Sequence, residues 1–324
     1  MLLAIGSAPE PAHPQTAAQL QHEDRVRLAE ASHLAAQVCE RLWPGWGQTA
    51  FQILLVGDST EFLIGSKQKN PPNFNRLGYD TLLRTEVWTR PRQFPPTLLA
   101  TFPAVGGLPT IVIGSARRTG KSSTTWVLTL LHEHFHQWQY SLPDYYTGVR
   151  GLGLSRGDTT GQWMLNYPFP YDSGPVQRAT RNLAMALVRA LEARPQMRKQ
   201  ALQAVSHTRA TLRNLLTATD YRYFEFQLWQ EGVARYIEYA AARAAAARKP
   251  LAQFRNLPDY EPYNHVAGEG LRHLRLELKQ LDLGRQQRVA FYPIGAALAL
   301  LLDDSRADWK QAYTRQPFTL PDLP

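Results

Sequence analysis

Hydrophobic positions change their period part-way along the chain. Over residues 16–42 apolar side chains recur at helical spacing (Leu20, Val26, Leu28, Leu34, Val38, Leu42), and Pro44-Gly45 closes the segment. Residues 51–57 form a short apolar run ending in Gly57-Asp58, the form of a buried strand. Residues 65–80, rich in Gly, Asn and Pro, read as loop, while 81–89, 97–102 and 110–113 read as further strands bounded by Pro or Gly. Beyond Lys121 the helical period takes over. Residues 122–140 predict one helix, with Ser122 or Ser123 as N-cap and Pro143 as its stop. Residues 141–174 carry Gly, Pro and aromatic side chains without periodicity and predict a long ordered loop; helices follow at about 176–193, 196–217, 221–248, 266–281 and 289–303. The pattern predicts an α+β chain. Residues 1–15 read as disordered and 16–324 as one domain, with a small mixed sheet in an N-terminal lobe (about 16–121), a mainly helical lobe after it, and a cleft between them.

Composition narrows the classes. With 44% hydrophobic and 19% charged residues in 324, the chain is a globule with a real core, and no apolar run approaches the roughly 20 residues that span a bilayer. Cys39 is the only cysteine, which excludes an intramolecular disulfide and a Cys-rich zinc module, so a metal site has to use His and carboxylates. The formal charge of +9 comes almost entirely from arginine and is scattered rather than gathered in a stripe, which argues against a nucleic-acid binder. The arginine excess favours acidic or C-terminal-carboxylate substrates. Residues 1–8 show no basic n-region and too short an apolar core for a signal peptide; as written the chain reads as cytoplasmic, or as exported if a signal lies upstream of Met1.

The chemistry concentrates in the helix at 122–140, which contains Leu131-His132-Glu133-His134-Phe135-His136. His132-Glu133-x-x-His136 matches H-E-x-x-H, and on a helix positions i and i+4 share one face, so both imidazoles can reach one metal ion. Glu133 lies about 100° round the helix, where a carboxylate can serve a zinc-activated water as base. His134 lies about 200° round from His132 and reads as a packed histidine outside the site. The third ligand of the H-E-x-x-H-x-x-G-x-x-H pattern is absent: Gln139 stands in place of the Gly and Leu142 in place of the His.

Further along, Trp229-Gln230-Glu231-Gly232-Val233-Ala234-Arg235-Tyr236 supplies a helical E-G-x-A-x-Y. Together with H-E-x-x-H it resembles the gluzincin-type zinc metallopeptidases of the thermolysin-like superfamily, in particular zincin-like proteins with a Trp-containing E-G-x-A-x-Y second helix. The resemblance implies a zincin-like fold, a peptide or protein substrate, Zn²⁺ held by His132, His136 and Glu231, and Glu133 as base. Glu231 follows His136 at a longer distance than in thermolysin. Gly232 and Ala234 are small enough to let this helix approach the first. The alternative for Glu231 is an i,i+4 ion pair with Arg235; Glu238, on the same face, reads as a partner for a ligand histidine or for an arginine. Gluzincins stabilise the oxyanion with a Tyr or His, and here Tyr292 of Tyr292-Pro293-Ile294-Gly295 is the candidate, with His265 as its rival. The resemblance implies that the strand at 110–114 is an edge along which a peptide can add, with a plain internal strand as the equal alternative. Trp163, Tyr167, Phe169 and Tyr171 read first as aromatic packing of the loop, with shaping of the pocket as the alternative.

Three alternatives stay open at this level. The domain can hold metal without catalysis, as a binding module. Two His and a carboxylate also suit iron and other divalent ions. Finally, Gly114-Ser115 to Gly120-Lys121-Ser122, with Asp303-Asp304 after an apolar run, imitates the phosphate loop of an NTPase, but the first Gly falls one residue early.

Overall fold

The computed structural model describes residues 19–324, so the disorder expected for residues 1–15 lies outside the described residues. The chain is α+β. Helix α1 (His22–Leu42) leads into six strands, β1 (Ile53–Val56), β2 (Thr60–Ile64), β3 (Asn75–Asp80), β4 (Thr85–Pro91), β5 (Leu99–Val105) and β6 (Leu108–Gly114). They form one mixed sheet in the order β3-β4-β2-β1-β6-β5; β1 and β6 run parallel and every other pair is antiparallel. Helices follow: α2 (Ser123–Ser141), α3 (Tyr145–Gly151), α4 (Trp163–Asn166), α5 (Gly174–Leu191), α6 (Arg198–Leu215), α7 (Ala218–Gln227), a π-helical turn (Leu228–Gly232), α8 (Val233–Ala245), α9 (Ala252–Arg255), α10 (Tyr263–Lys279), α11 (Leu283–Gln286), α12 (Phe291–Ser305) and α13 (Trp309–Arg315). Among the described residues no helix is long and apolar enough to cross a membrane.

The period-2 alternation of the strands divides the core. Ile53, Leu55, Phe62, Ile64, Ile111 and Ile113 point to the face covered by α1 and α2 and join the main core. Leu54, Val56, Leu63 and Val112 point the other way, into a smaller core closed by Phe74, Phe94 and Leu98 from the connecting loops. Helix α2 starts where β6 ends. Ser122 caps it by accepting from the Thr125 N–H at 3.3 Å, and the Trp126 indole N–H donates to the Gly114 carbonyl at 2.8 Å. Almost all of α2 is buried, so its polar side chains have to find partners inside the protein.

Several expectations are corrected. Residues 65–80 include strand β3 and not loop alone. Its polar residues line an exposed sheet edge, where no buried face imposes apolar alternation. The strand at 110–114 belongs to β6, which lies between β1 and β5, the internal-strand alternative and not the edge; the edge next to α2 is β5. The segment 141–174 contains two short helices, α3 and α4, and is not loop alone; its Trp163, Tyr167 and Phe169 are buried in the core, in keeping with the packing expected of them.

Candidate metal centre

The first two residues of the site come from one turn of α2. His132 and His136 sit one above the other, with their Nε2 atoms 3.2 Å apart. The third comes from the π-helical turn. There the extra residue per turn swings Glu231 off the α-helical path, and its Oε2 lies 3.4 Å from Nε2 of His136 and 3.9 Å from Nε2 of His132. Such bulges recur at functional sites, and this one re-aims a carboxylate that a straight helix would carry round by a different angle. Glu231 is not paired with Arg235, whose guanidinium goes instead to Glu238 at 3.0 Å and Glu277 at 3.4 Å.

These three atoms fit a metal ion. A tetrahedral ion bonded at about 2.0–2.1 Å sets its ligands about 3.3–3.4 Å apart, and the triangle of 3.2, 3.4 and 3.9 Å needs small adjustments to match. Among the described residues this is the His/Cys/Asp/Glu group with three donor atoms mutually within 4.8 Å. The outer partners suit it as well. His132 donates through Nδ1 to Glu238 Oε1 at 2.8 Å, and His136 donates through Nδ1 to Gln139 Oε1 at 2.7 Å. Those partners assign the tautomer and leave both Nε2 atoms as the free donors. Gln139 also braces the neighbouring element. Its Nε2 reaches the carbonyls of Trp229 and Gln230 at 3.2 and 3.1 Å, tying α2 to the turn that presents Glu231.

Electrostatics follow from this closeness. Burial works against a charged imidazole at His136, but the Glu231 carboxylate overrides it and pushes His136 up to about 9. Burial likewise resists the Glu231 charge, and His136 overrides it, bringing Glu231 down to about 2. Two carboxylates nearby are not part of the triangle. Glu238 is also brought down to about 2, against the pull of burial, by Arg235 and His132. Glu133 is buried and is held by β5, where the Thr101 hydroxyl lies 2.8 Å from Oε2 and 3.0 Å from the Glu133 carbonyl oxygen.

Tyr292 lies beside Glu231 and helps to lower its pKa. Its hydroxyl accepts from Arg288 at 2.8 Å, and burial and the Glu231 charge hold its proton on well above the usual tyrosine range. What brings this helix so close is glycine. A Cβ on Gly232 would meet the Gly295 Cα at 2.5 Å, and one on Gly295 would meet the Gly232 Cα at 2.6 Å, so two backbones cross without side chains between them. Gly232 therefore serves the approach of α12, not that of α2. His265 is exposed on α10. His134 faces away from the triad, buried against Phe51 at 4.3 Å between ring centroids and hydrogen-bonded to Gln137 at 2.9 Å. Two surface hollows, one among Arg209, Arg213 and Tyr221 and the other among Gly45, Gln52 and Gln137, both lie away from the triad.

Sequence reasoning passed over Thr101 and Arg288 and read Gln139 only as a missing glycine. For Gln139 a signal exists in the spacing. His134-Gln137 and His136-Gln139 are both i,i+3 pairs, the separation at which a glutamine reaches a histidine on the same helix. The loop at 115–122 is occupied by its own contacts: Lys121 N–H donates to the Ala116 carbonyl at 3.0 Å, and the Ser122 hydroxyl donates to the Glu261 carboxylate, which puts negative charge where a phosphate loop needs to receive it. No protein-family model matches the chain, and no curated protein or solved structure is significantly similar to it.

Proposed function

We propose that the chain is a zinc-dependent peptidase with a zincin-like arrangement of the gluzincin type. The observation that carries this reading is the triangle of His132 Nε2, His136 Nε2 and Glu231 Oε2, joined by no fourth His, Cys, Asp or Glu donor among the described residues, on the same helix as a carboxylate, Glu133, that is not one of its corners. Structural metal sites close all four positions with protein, and catalytic ones keep one open. Zinc bound there would supply an acidified water and a Lewis acid for a peptide carbonyl.

The protein's own groups have definite parts. His132 and His136 are kept in the ligating tautomer by Glu238 and Gln139. Glu133 has Oε2 occupied by the Thr101 hydroxyl, which leaves Oε1 to take the water's proton and pass it to the departing amine. Tyr292, its hydroxyl held by Arg288 at 2.8 Å beside Glu231, would donate a hydrogen bond to an oxyanion formed at the centre.

Metal analysis by plasma mass spectrometry on protein purified without chelators or a His tag tests the centre. Near one zinc per chain, lost in His136→Ala, is expected; failure to bind even added zinc would remove the reading. A peptide library then tests the chemistry, because hydrolysis that is unchanged by Glu133→Gln is incompatible with it.

A further inference from the structure

Arg288 stands out among the charged groups around the triad. Glu238 is shared by His132 and Arg235, and Glu231 faces both histidines. Arg288 is half-buried, donates to Tyr292 at 2.8 Å, and among the described residues has no carboxylate within 4.0 Å. Its charge reaches Glu231. Once Glu231 is committed to a metal ion, this guanidinium is left with no compensating charge. A half-buried guanidinium with no carboxylate beside it is costly, and its fork is a ready carboxylate receptor.

A second group points the same way. Tyr171, whose ring stacks on Phe291 at 6.2 Å between centroids, has a buried hydroxyl that completes no hydrogen bond of ordinary geometry, with the Tyr223 hydroxyl and the Arg288 charge nearby. Buried hydroxyls are normally satisfied, and one left open near a guanidinium that lacks a carboxylate can donate to an incoming acceptor.

The sheet edge limits how much substrate can lie alongside. In the antiparallel β5–β6 pair the Leu98 carbonyl accepts from Gly114, so Leu98, Ala100 and Phe102 turn toward β6 while Leu99, Thr101 and Pro103 turn outward. Of the outward groups, the Thr101 carbonyl already accepts from the Tyr140 hydroxyl at 3.2 Å, and Pro103 has no N–H. Only a short ladder can form on this edge, which suits the end of a chain better than its middle.

We infer that Arg288, assisted by Tyr171, anchors a substrate carboxylate beside the metal centre, so that the site takes short peptide segments carrying a carboxylate next to the scissile bond. This rests on the peptidase reading for its substrate class, but binding and cleavage test it separately.

The binding test uses zinc-loaded protein carrying Glu133→Gln, titrated by calorimetry with N-acetyl-Phe-Ala free acid, with N-acetyl-Phe-Ala amide, and with N-acetyl-Phe-Glu amide. Tighter binding of at least one of the two acidic probes than of the neutral amide, by about 10- to 100-fold, is expected, and the probe that wins tells a chain terminus from an acidic side chain. Arg288→Gln should abolish that preference while leaving the amide within about twofold. Arg288→Lys should restore only part of it, because the ammonium keeps the charge and loses the fork. Tyr171→Phe should weaken the acid alone. Equal binding of all three probes, no binding of any, or a preference that survives Arg288→Gln would overturn the inference, the last by assigning the carboxylate to the metal. Wild-type protein that cleaves amidated and acidic peptides equally well would leave the peptidase reading standing and sink the anchor. An acid preference lost in Arg288→Gln, with no peptide cleaved by the wild type, would do the reverse.

Discussion

Two faces of the same helix carry the same side-chain pair and end in opposite states. On one face His134 bonds Gln137; on the other His136 bonds Gln139, at nearly equal distances of 2.9 and 2.7 Å. Both imidazoles are buried. His134 meets Phe51 and Trp46, and with no carboxylate to oppose desolvation it is pushed down to about 4. His136 meets Glu231 and is pushed up to about 9. The glutamines diverge too: Gln137 donates to the carbonyls of Gln52 and Pro109 and so ties the helix to the sheet, while Gln139 donates to the carbonyls of the π-helical turn and so ties it to Glu231. Burial and a hydrogen-bonded amide therefore do not set the two histidines apart. The carboxylate delivered from another element does.

The largest effect should come from the base. Glu133→Gln is expected to lower peptide turnover by about 10²–10⁴-fold while zinc content stays near that of the wild type, measured by kcat/KM and plasma mass spectrometry on the same preparation. Loss of both together would make Glu133 a structural residue. Next come the outer partners. Glu238→Ala and Gln139→Ala should each weaken zinc binding about 10–100-fold in a competition titration. Gln137→Ala, the matching change on the other face, should leave zinc affinity alone and lower the melting temperature, because it strips the sheet of two hydrogen bonds. Equal effects of Gln137→Ala and Gln139→Ala on zinc would break the comparison.

Smaller still is the backbone crossing. Gly232→Ala forces a methyl to 2.5 Å from the Gly295 Cα, where no rotamer can yield, and should cost about 1–3 kcal/mol in denaturant unfolding. It should also displace Tyr292, three residues from Gly295. A variant as stable as the wild type would mean that α12 shifts freely.

What was legible in the sequence divides along the same line. The i,i+4 spacing of His132 and His136 is a property of a single helix, and the apolar run before it marks that helix as buried. The small residue at 232 is visible as well, but which helix it admits depends on tertiary packing, and it turned out to be α12. Strand β3 escaped because an exposed edge strand has no apolar face, and β2, five residues long and directly after the turn at Gly57-Asp58-Ser59, offered too short a run. The π-helical turn left no periodic mark, since one extra residue in an otherwise helical stretch hardly alters the apolar spacing. Arg288 was one of 29 arginines until the fold set it beside Tyr292.

The sharpest test of the two faces is their titration in the metal-free protein, followed by long-range imidazole ¹⁵N spectra. His134 should stay neutral down to about pH 4 and His136 should stay protonated up to about 9. The stability consequences have opposite signs. His136, raised above the unfolded value of about 6.5, contributes stability that is present below pH 6.5 and lost as pH rises through 9; His134, depressed, contributes stability present above 6.5 and lost as pH falls through 4. Zinc competes with the His136 proton, so its affinity should rise with pH until that proton is gone. Glu231→Gln removes the larger of the two carboxylate charges that act on His136 and not on His134. His136 should then fall below 6.5 toward the behaviour of His134, while His134 itself does not move. If His136 stays high in that variant, its charge is held by Glu133, the other carboxylate whose field it feels, and the division of labour between ligand and base would have to be redrawn.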